Sequence, residues 1–140
     1  MKIAKEYRWE MGHRLTFHKG GCASLHGHSY KMLVELAGEK NGEGMLLDYF
    51  DIDRIVKPVI DKFDHGFAVY SGDREVIDFL NRINSKNIVL PFHPTAENLC
   101  EYILENLKSA EFPENIRTLR VRLSETGDVF ADETVEITRR

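Results

Sequence analysis

The stretch Cys22-Ala23-Ser24-Leu25-His26-Gly27-His28 carries the densest chemistry in this sequence. On an extended strand, His26 and His28 project from one face roughly 7 Å apart and can converge on a single ion. Gly27 leaves the opposite face open. His13, from a neighbouring strand, would make three imidazoles, and three histidines at roughly 2.0–2.1 Å from zinc leave the fourth tetrahedral position free, as in catalytic rather than structural sites. The plain alternative for the His26-Gly27-His28 pair is two strand histidines in ordinary hydrogen bonds. Cys22 is either a base, since a thiol beside a divalent cation ionises readily, or a fourth ligand. In Asp64-His65 the carboxylate can orient and charge the imidazole, or Asp64 simply ends a helix. Glu125 closes an otherwise apolar strand face, either as a buried carboxylate with a binding task or as an exposed strand end. Thr95-Ala96-Glu97 reads first as a helix cap with a first-turn charge. Cys100, His18 and His93 read as structural or exposed.

The elements that must position these groups follow from periodicity. Tyr7, Trp9, Met11 and His13 alternate with Glu6, Arg8 and Glu10, which predicts a strand with one buried face. From His26 to Leu36 the pattern repeats, with His26, His28, Tyr30, Met32, Val34 and Leu36 sharing a face. Leu119, Val121, Leu123 and Glu125 form a third such face, and Val129 to Ile137 a fourth strand, entered through a hairpin turn at Gly127-Asp128. Three helices are expected between the second and third strands. Ile52, Ile55, Val56, Val59 and Phe63 follow Asp51 as a cap, with Pro58 predicting a kink or a later start. Val76, Ile77, Leu80 and Ile83 make a short helix, and Leu99, Ile103 and Leu107 a third that opens at Pro94-Thr95. Paired strands around grouped helices predict an α+β class, with an antiparallel sheet covered on one face by helices in the order ββαα(α)ββ.

The 140 residues, with 42% hydrophobic and 30% charged, predict one domain spanning 1–140. Lys and Arg total 19 against 23 Asp and Glu, a net charge of -4, which argues against a nucleic-acid partner bound through a basic surface. No apolar run nears the roughly 20 residues of a membrane-spanning helix, and Met1 to Glu6 lack a signal peptide's apolar stretch. The expectation is a cytoplasmic protein without a membrane partner. Two cysteines, Cys22 and Cys100, are too few for a disulfide framework.

Taken together, the motifs resemble the 6-pyruvoyl-tetrahydropterin synthase superfamily, and within it most closely the 6-carboxy-tetrahydropterin synthases of queuosine and other 7-deazaguanine biosynthesis. The resemblance is carried by Trp9-Glu10-Met11-Gly12-His13, Cys22-x-x-x-His26-Gly27-His28, Gly44-Met45-Leu46-Leu47-Asp48-Tyr49, Phe63-Asp64-His65, Pro94-Thr95-Ala96-Glu97-Asn98 and Leu123-Ser124-Glu125-Thr126, in the family's order. The three-residue gap between Cys22 and His26 points to the carboxy branch. Three departures stand out: Trp9-x-Met11-x-His13 where Phe-x-Ala-x-His is common, Gly66-Phe67-Ala68-Val69 after the Asp-His pair, and a long segment from Ser71 to Phe92.

The resemblance implies the T-fold, a four-stranded antiparallel sheet with helices on one face, assembled as a homo-oligomer, a trimer or a hexamer of two trimers, with active sites between subunits. It implies that His13, His26 and His28 bind Zn2+, that Cys22 is the general base, and that Asp64 and His65 form a proton relay. Glu125 would anchor a pterin, with Thr95 nearby. The implied reaction turns 7,8-dihydroneopterin triphosphate into 6-carboxy-tetrahydropterin, acetaldehyde and triphosphate. Two alternatives stay open. One is a 6-pyruvoyl-tetrahydropterin synthase, which eliminates triphosphate without cleaving the side chain; the other is a non-catalytic zinc or pterin-binding protein in which Cys22 closes the metal shell.

Overall fold

The structure, a computed structural model, describes residues 1–138. Alternation of buried and exposed residues builds two long strands, β1 (Lys2–His13) and β2 (His26–Gly38), paired antiparallel from Lys2↔Ala37 to His13↔His26. After them come β3 (Gly66–Tyr70) and β4 (Asn87–Leu90), then β5 (Ile116–Thr126) and β6 (Val129–Glu136). The helices are α1 (Tyr49–Phe63), α2 (Arg74–Arg82) and α3 (Ala96–Lys108). The α+β class and the β5–β6 hairpin through Gly127-Asp128 are as expected.

The sheet differs from the expected four antiparallel strands. It has six, in the order β4-β3-β1-β2-β5-β6, and is mixed: β1, β2, β5 and β6 are antiparallel neighbours, whereas β3 runs parallel to β1 and β4 parallel to β3. The two extra strands come from the short runs Phe67-Ala68-Val69-Tyr70 and Ile88-Val89-Leu90, joined by α2 as a crossover, the connection that parallel neighbours require. Residues 66–90 therefore form a β-α-β unit rather than a helix in a long loop.

The helices also do not all share one face. Ile52, Val56, Ile60 and Phe63 of α1 and Leu99, Cys100, Ile103, Leu104 and Leu107 of α3 join Tyr7, Trp9, Met11, Tyr30, Met32, Leu119, Val121 and Leu123 in the main core. Each such side chain contributes about 1.5–3 kcal/mol on burial. Val76, Ile77 and Leu80 of α2 instead gather with Val69 and Phe67 in a separate cluster. Phe67 lies against Gly12, where a Cβ would come within 2.7 Å of its ring, so α2 covers the side of the sheet opposite α1 and α3.

Local signals fix the ends. Asp48, rather than Asp51, caps α1 by accepting from the Phe50 N–H at 2.8 Å, and the helix runs through Pro58. Thr95 caps α3, its side chain accepting from the Asn98 N–H at 3.2 Å. Among the described residues, no helix is long and apolar enough to cross a membrane.

Candidate metal centre and active site

The long β1–β2 hairpin places His13 opposite His26 and two pairs away from His28, all on the core face. His13 is buried, with 1% exposure, while His26 and His28 are half-buried. The rings meet at steep angles: His13 and His26 at 4.7 Å and 57°, His13 and His28 at 5.1 Å and 79°, His26 and His28 at 4.9 Å and 90°. One ring nitrogen from each lies within 4.8 Å of the others.

Hydrogen bonds decide which nitrogens are free. His13 Nδ1 lies 2.8 Å from the Pro94 carbonyl and His26 Nδ1 lies 2.7 Å from the Ser24 carbonyl, so each Nδ1 carries the proton and donates. That leaves a lone pair on each Nε2, and the Nε2 atoms of His13, His26 and His28 are all buried without a hydrogen-bond partner. A buried polar atom without a partner costs about 1–3 kcal/mol. Three such atoms converging on one point suit a divalent cation, for which neutral imidazole anchored through its other nitrogen is the usual donor. Burial lowers the pKa of His13 to about 4, against the pull of the Pro94 carbonyl and helped by His26 and His28, so it stays neutral at pH 7.

The other side chains singled out by sequence divide into two groups. Near the histidines, the Glu125 carboxylate at the end of β5 lies 3.9 Å from both His13 Nε2 and His28 Nε2, beyond hydrogen-bond reach. Burial raises the Glu125 pKa, His28 opposes this and the nearby Glu97 reinforces it. Beneath the histidines, Tyr30 is fully buried with its hydroxyl 3.4 Å from His13 Nδ1. Cys22 sits half-buried on a short 3-10 turn, Gly21–Ala23, in the loop between β1 and β2; its carbonyl accepts from the Leu15 N–H at 2.7 Å. The mutual donor group comprises the three histidines alone, so Cys22 does not close it as a fourth ligand.

Asp64 and His65 lie elsewhere. Asp64 Oδ1 accepts from His65 Nδ1 at 2.9 Å and from the Glu10 N–H at 3.1 Å, so these adjacent residues do pair. The Glu10 N–H, and then His65 and Lys86, hold the Asp64 carboxyl below its usual range despite some burial. Chain reversal allows the contact, because His65 adopts a left-handed backbone, φ 57°, straight after α1. His65 lines an open hollow of about 340 Å³ with Glu10, Met11, Gly12, Gly27, His28 and Ser29, where the ends of β1 and β2 pair. Among the described residues, no hydrogen bond joins the Asp64-His65 pair to the three Nε2 atoms.

Sequence reasoning missed the groups that orient the ligands. The carbonyls of Pro94 and Ser24 fix two imidazoles, and Asn98 Nδ2 donates to the His93 carbonyl at 2.9 Å, holding the turn that carries Pro94. Only Pro94-Thr95-Ala96-Glu97-Asn98 gave a signal, and it spoke for a helix cap.

An α+β domain that presents three free imidazole nitrogens at the end of a long hairpin defines a class of protein equipped for a histidine-held metal. The chain belongs to the 6-pyruvoyl tetrahydropterin synthase family, whose sequence profile matches residues 2–136. It is 39% identical over 139 residues to the 6-carboxy-5,6,7,8-tetrahydropterin synthase of Haemophilus influenzae, covering 94% of this chain and 96% of that one. A putative 6-carboxy-5,6,7,8-tetrahydropterin synthase of Archaeoglobus fulgidus is 36% identical over 132 residues, covering 94% of each. The fold matches the crystal structure of Plasmodium vivax 6-pyruvoyl tetrahydropterin synthase with a TM-score of 0.75 at 20% identity, over 98% of both chains. An uncharacterized protein from Wolinella succinogenes matches at 0.76 and 22%, over 97% of both.

Proposed function

We propose that this protein is a zinc-dependent lyase, a 6-carboxy-5,6,7,8-tetrahydropterin synthase. It converts 7,8-dihydroneopterin triphosphate and one water to 6-carboxy-5,6,7,8-tetrahydropterin, acetaldehyde and triphosphate in queuosine or related 7-deazaguanine biosynthesis. The observation that carries this reading is the convergence of three buried, unpartnered Nε2 atoms. The relatives named above at 36% and 39% identity, both bearing that enzyme's name, support the choice of reaction.

Bound zinc supplies Lewis acidity, stabilising negative charge on the substrate's side-chain oxygens. Cys22 moves the C–H proton, and the His65 imidazole, oriented by Asp64, exchanges a proton with the reacting side chain. Glu125 accepts hydrogen bonds from the pterin amino group and ring N–H. The Thr95 oxygen accepts from the Asn98 N–H, which leaves its hydroxyl proton free to donate to the ring.

A second copy of the chain completes the site. Support comes from the Asp64-His65 pair facing an open hollow without a hydrogen bond to the three Nε2 atoms of its own chain, so that one subunit's relay serves a neighbour's metal. Among the described residues, β3 pairs with β1 only at Met11 to His13, and β6 has one strand neighbour, which leaves two long edges for copies of the chain to join as a trimer or hexamer. Cys22 and Cys100 are free thiols, as suits a reducing compartment, and we assign the protein to the cytoplasm.

Product analysis of the purified protein with 7,8-dihydroneopterin triphosphate tests the assignment. Acetaldehyde and 6-carboxy-tetrahydropterin are expected, both abolished by a chelator and restored by zinc. A pyruvoyl product without acetaldehyde would reassign the reaction, and turnover indifferent to chelation would refute the metal's part in it.

A further inference from the structure

We propose that Lys86 is a positioning residue for His65, an inference that rests on the relay reading of Asp64 and His65. Lys86 lies at the end of the α2 crossover, just before β4, and its ammonium reaches back across the sheet edge to the end of α1. Its Nζ donates to the Asp61 carbonyl at 2.5 Å and to the Asp64 carbonyl at 2.7 Å. Those carbonyls close the last turn of α1, where acceptors lack partners within the helix and a cation is favoured.

Lys86 holds the turn in three ways. Its own carbonyl accepts from the Phe67 N–H at 3.0 Å, so its backbone is pinned beside the turn. Its aliphatic stem lies over Gly66, where an added Cβ would come within 3.3 Å of Lys86 Cγ. Its ammonium then bridges the carbonyls on the near side of His65. Between these grips sits a residue with φ 57°, a left-handed conformation that a histidine keeps only when its surroundings over-determine it. From the other side, the His65 N–H donates to the Glu10 carbonyl at 2.7 Å and Asp64 Oδ1 accepts from the Glu10 N–H at 3.1 Å. The Asp64-His65 turn is thus clamped between β1 and Lys86, and the imidazole points into the hollow because the turn cannot relax to extended backbone.

An ordinary helix cap would serve folding alone, whereas a positioning residue sets the rate without touching substrate. The test uses the full-length, zinc-loaded protein with the substitutions Lys86→Met, which keeps the stem, Lys86→Arg, which keeps the charge, and His65→Ala as reference. The expected result for Lys86→Met is a kcat lower by on the order of 10- to 100-fold, the scale of a misplaced catalytic group. KM, zinc per chain and melting temperature stay near wild type, the His65 amide exchanges faster with solvent, and Lys86→Arg recovers most of the rate. Wild-type kcat in Lys86→Met beside an inactive His65→Ala overturns the positioning role and spares the relay. A fall in kcat matched by an equal loss of folded or zinc-loaded protein also overturns it. Wild-type turnover in His65→Ala overturns the relay and the role of Lys86 together.

Discussion

In the metal-free protein, acid should unfold the chain through His13 before most carboxylates respond. An imidazole in the unfolded chain takes up a proton near pH 6.5, whereas burial delays this in the folded protein to about 4. Between those values the unfolded state binds the extra proton, so falling pH favours unfolding. The stability that His13 contributes is fully present above 6.5 and is lost progressively down to about 4. That interval, at roughly 1.4 kcal/mol per pH unit, amounts to about 3 kcal/mol, a large share of the 5–15 kcal/mol typical of a domain. Urea unfolding in the presence of a chelator at several pH values from 7.5 to 4 measures it, with His13→Asn as the comparison. Asparagine does not titrate, and its amide can still donate to the Pro94 carbonyl. Wild type should lose about 3 kcal/mol more than His13→Asn over that range. Added zinc at 100 times its dissociation constant should add about 2.7 kcal/mol at pH 7.5 in wild type and much less in the variant. Parallel pH dependences for the two proteins would refute the claim that His13 is held neutral with a free Nε2.

Other outcomes follow from single side chains. Cys22→Ala should fold and keep its zinc, measured by metal analysis, while kcat falls by about 10²–10⁴, the range for removal of a general base; unchanged kcat would refute the role given to the thiol. Asp132 receives Arg120 through a fork of 2.7 and 2.6 Å and Arg122 at 2.8 Å, which lowers its pKa to about 2. Asp132→Asn should therefore cost about 1 kcal/mol in urea unfolding at pH 7, a value kept small by partial exposure, and the difference should vanish as pH falls from about 4 to 2.

The strands that carry the histidines were legible because period-two alternation is strong when one face is buried and the other charged. Tyr7 to His13 and His26 to Leu36 carry that pattern without interruption, and it put all three imidazoles on one face. β3 and β4 left no such mark: Phe67-Ala68-Val69-Tyr70 and Ile88-Val89-Leu90 are short continuous apolar runs, which periodicity cannot assign to strand or helix. Their parallel pairing depends on α2 crossing the opposite face, a tertiary fact. Asp48 and Asp51 are both suitable caps, and only backbone geometry chooses Asp48. In the site, backbone carbonyls such as those of Pro94 and Ser24 do the orienting, and a carbonyl has no signature in sequence. The Asp64-His65 contact was equally hidden, since adjacent side chains diverge unless the backbone turns left-handed.

The fork between Arg14 and Asp73, two contacts of 2.6 Å from a mostly buried carboxylate, joins the residue after His13 to the cap of α2. It makes the β-α-β unit an inseparable part of the metal strand rather than a removable ornament. A chimera in which residues 71–86 are swapped for a short linker would strip the guanidinium of its acceptor at the very end of β1 and uncover Phe67 over Gly12. In this chain, then, the 66–90 unit and the Arg14 end of the hairpin depend on each other and can be exchanged only together.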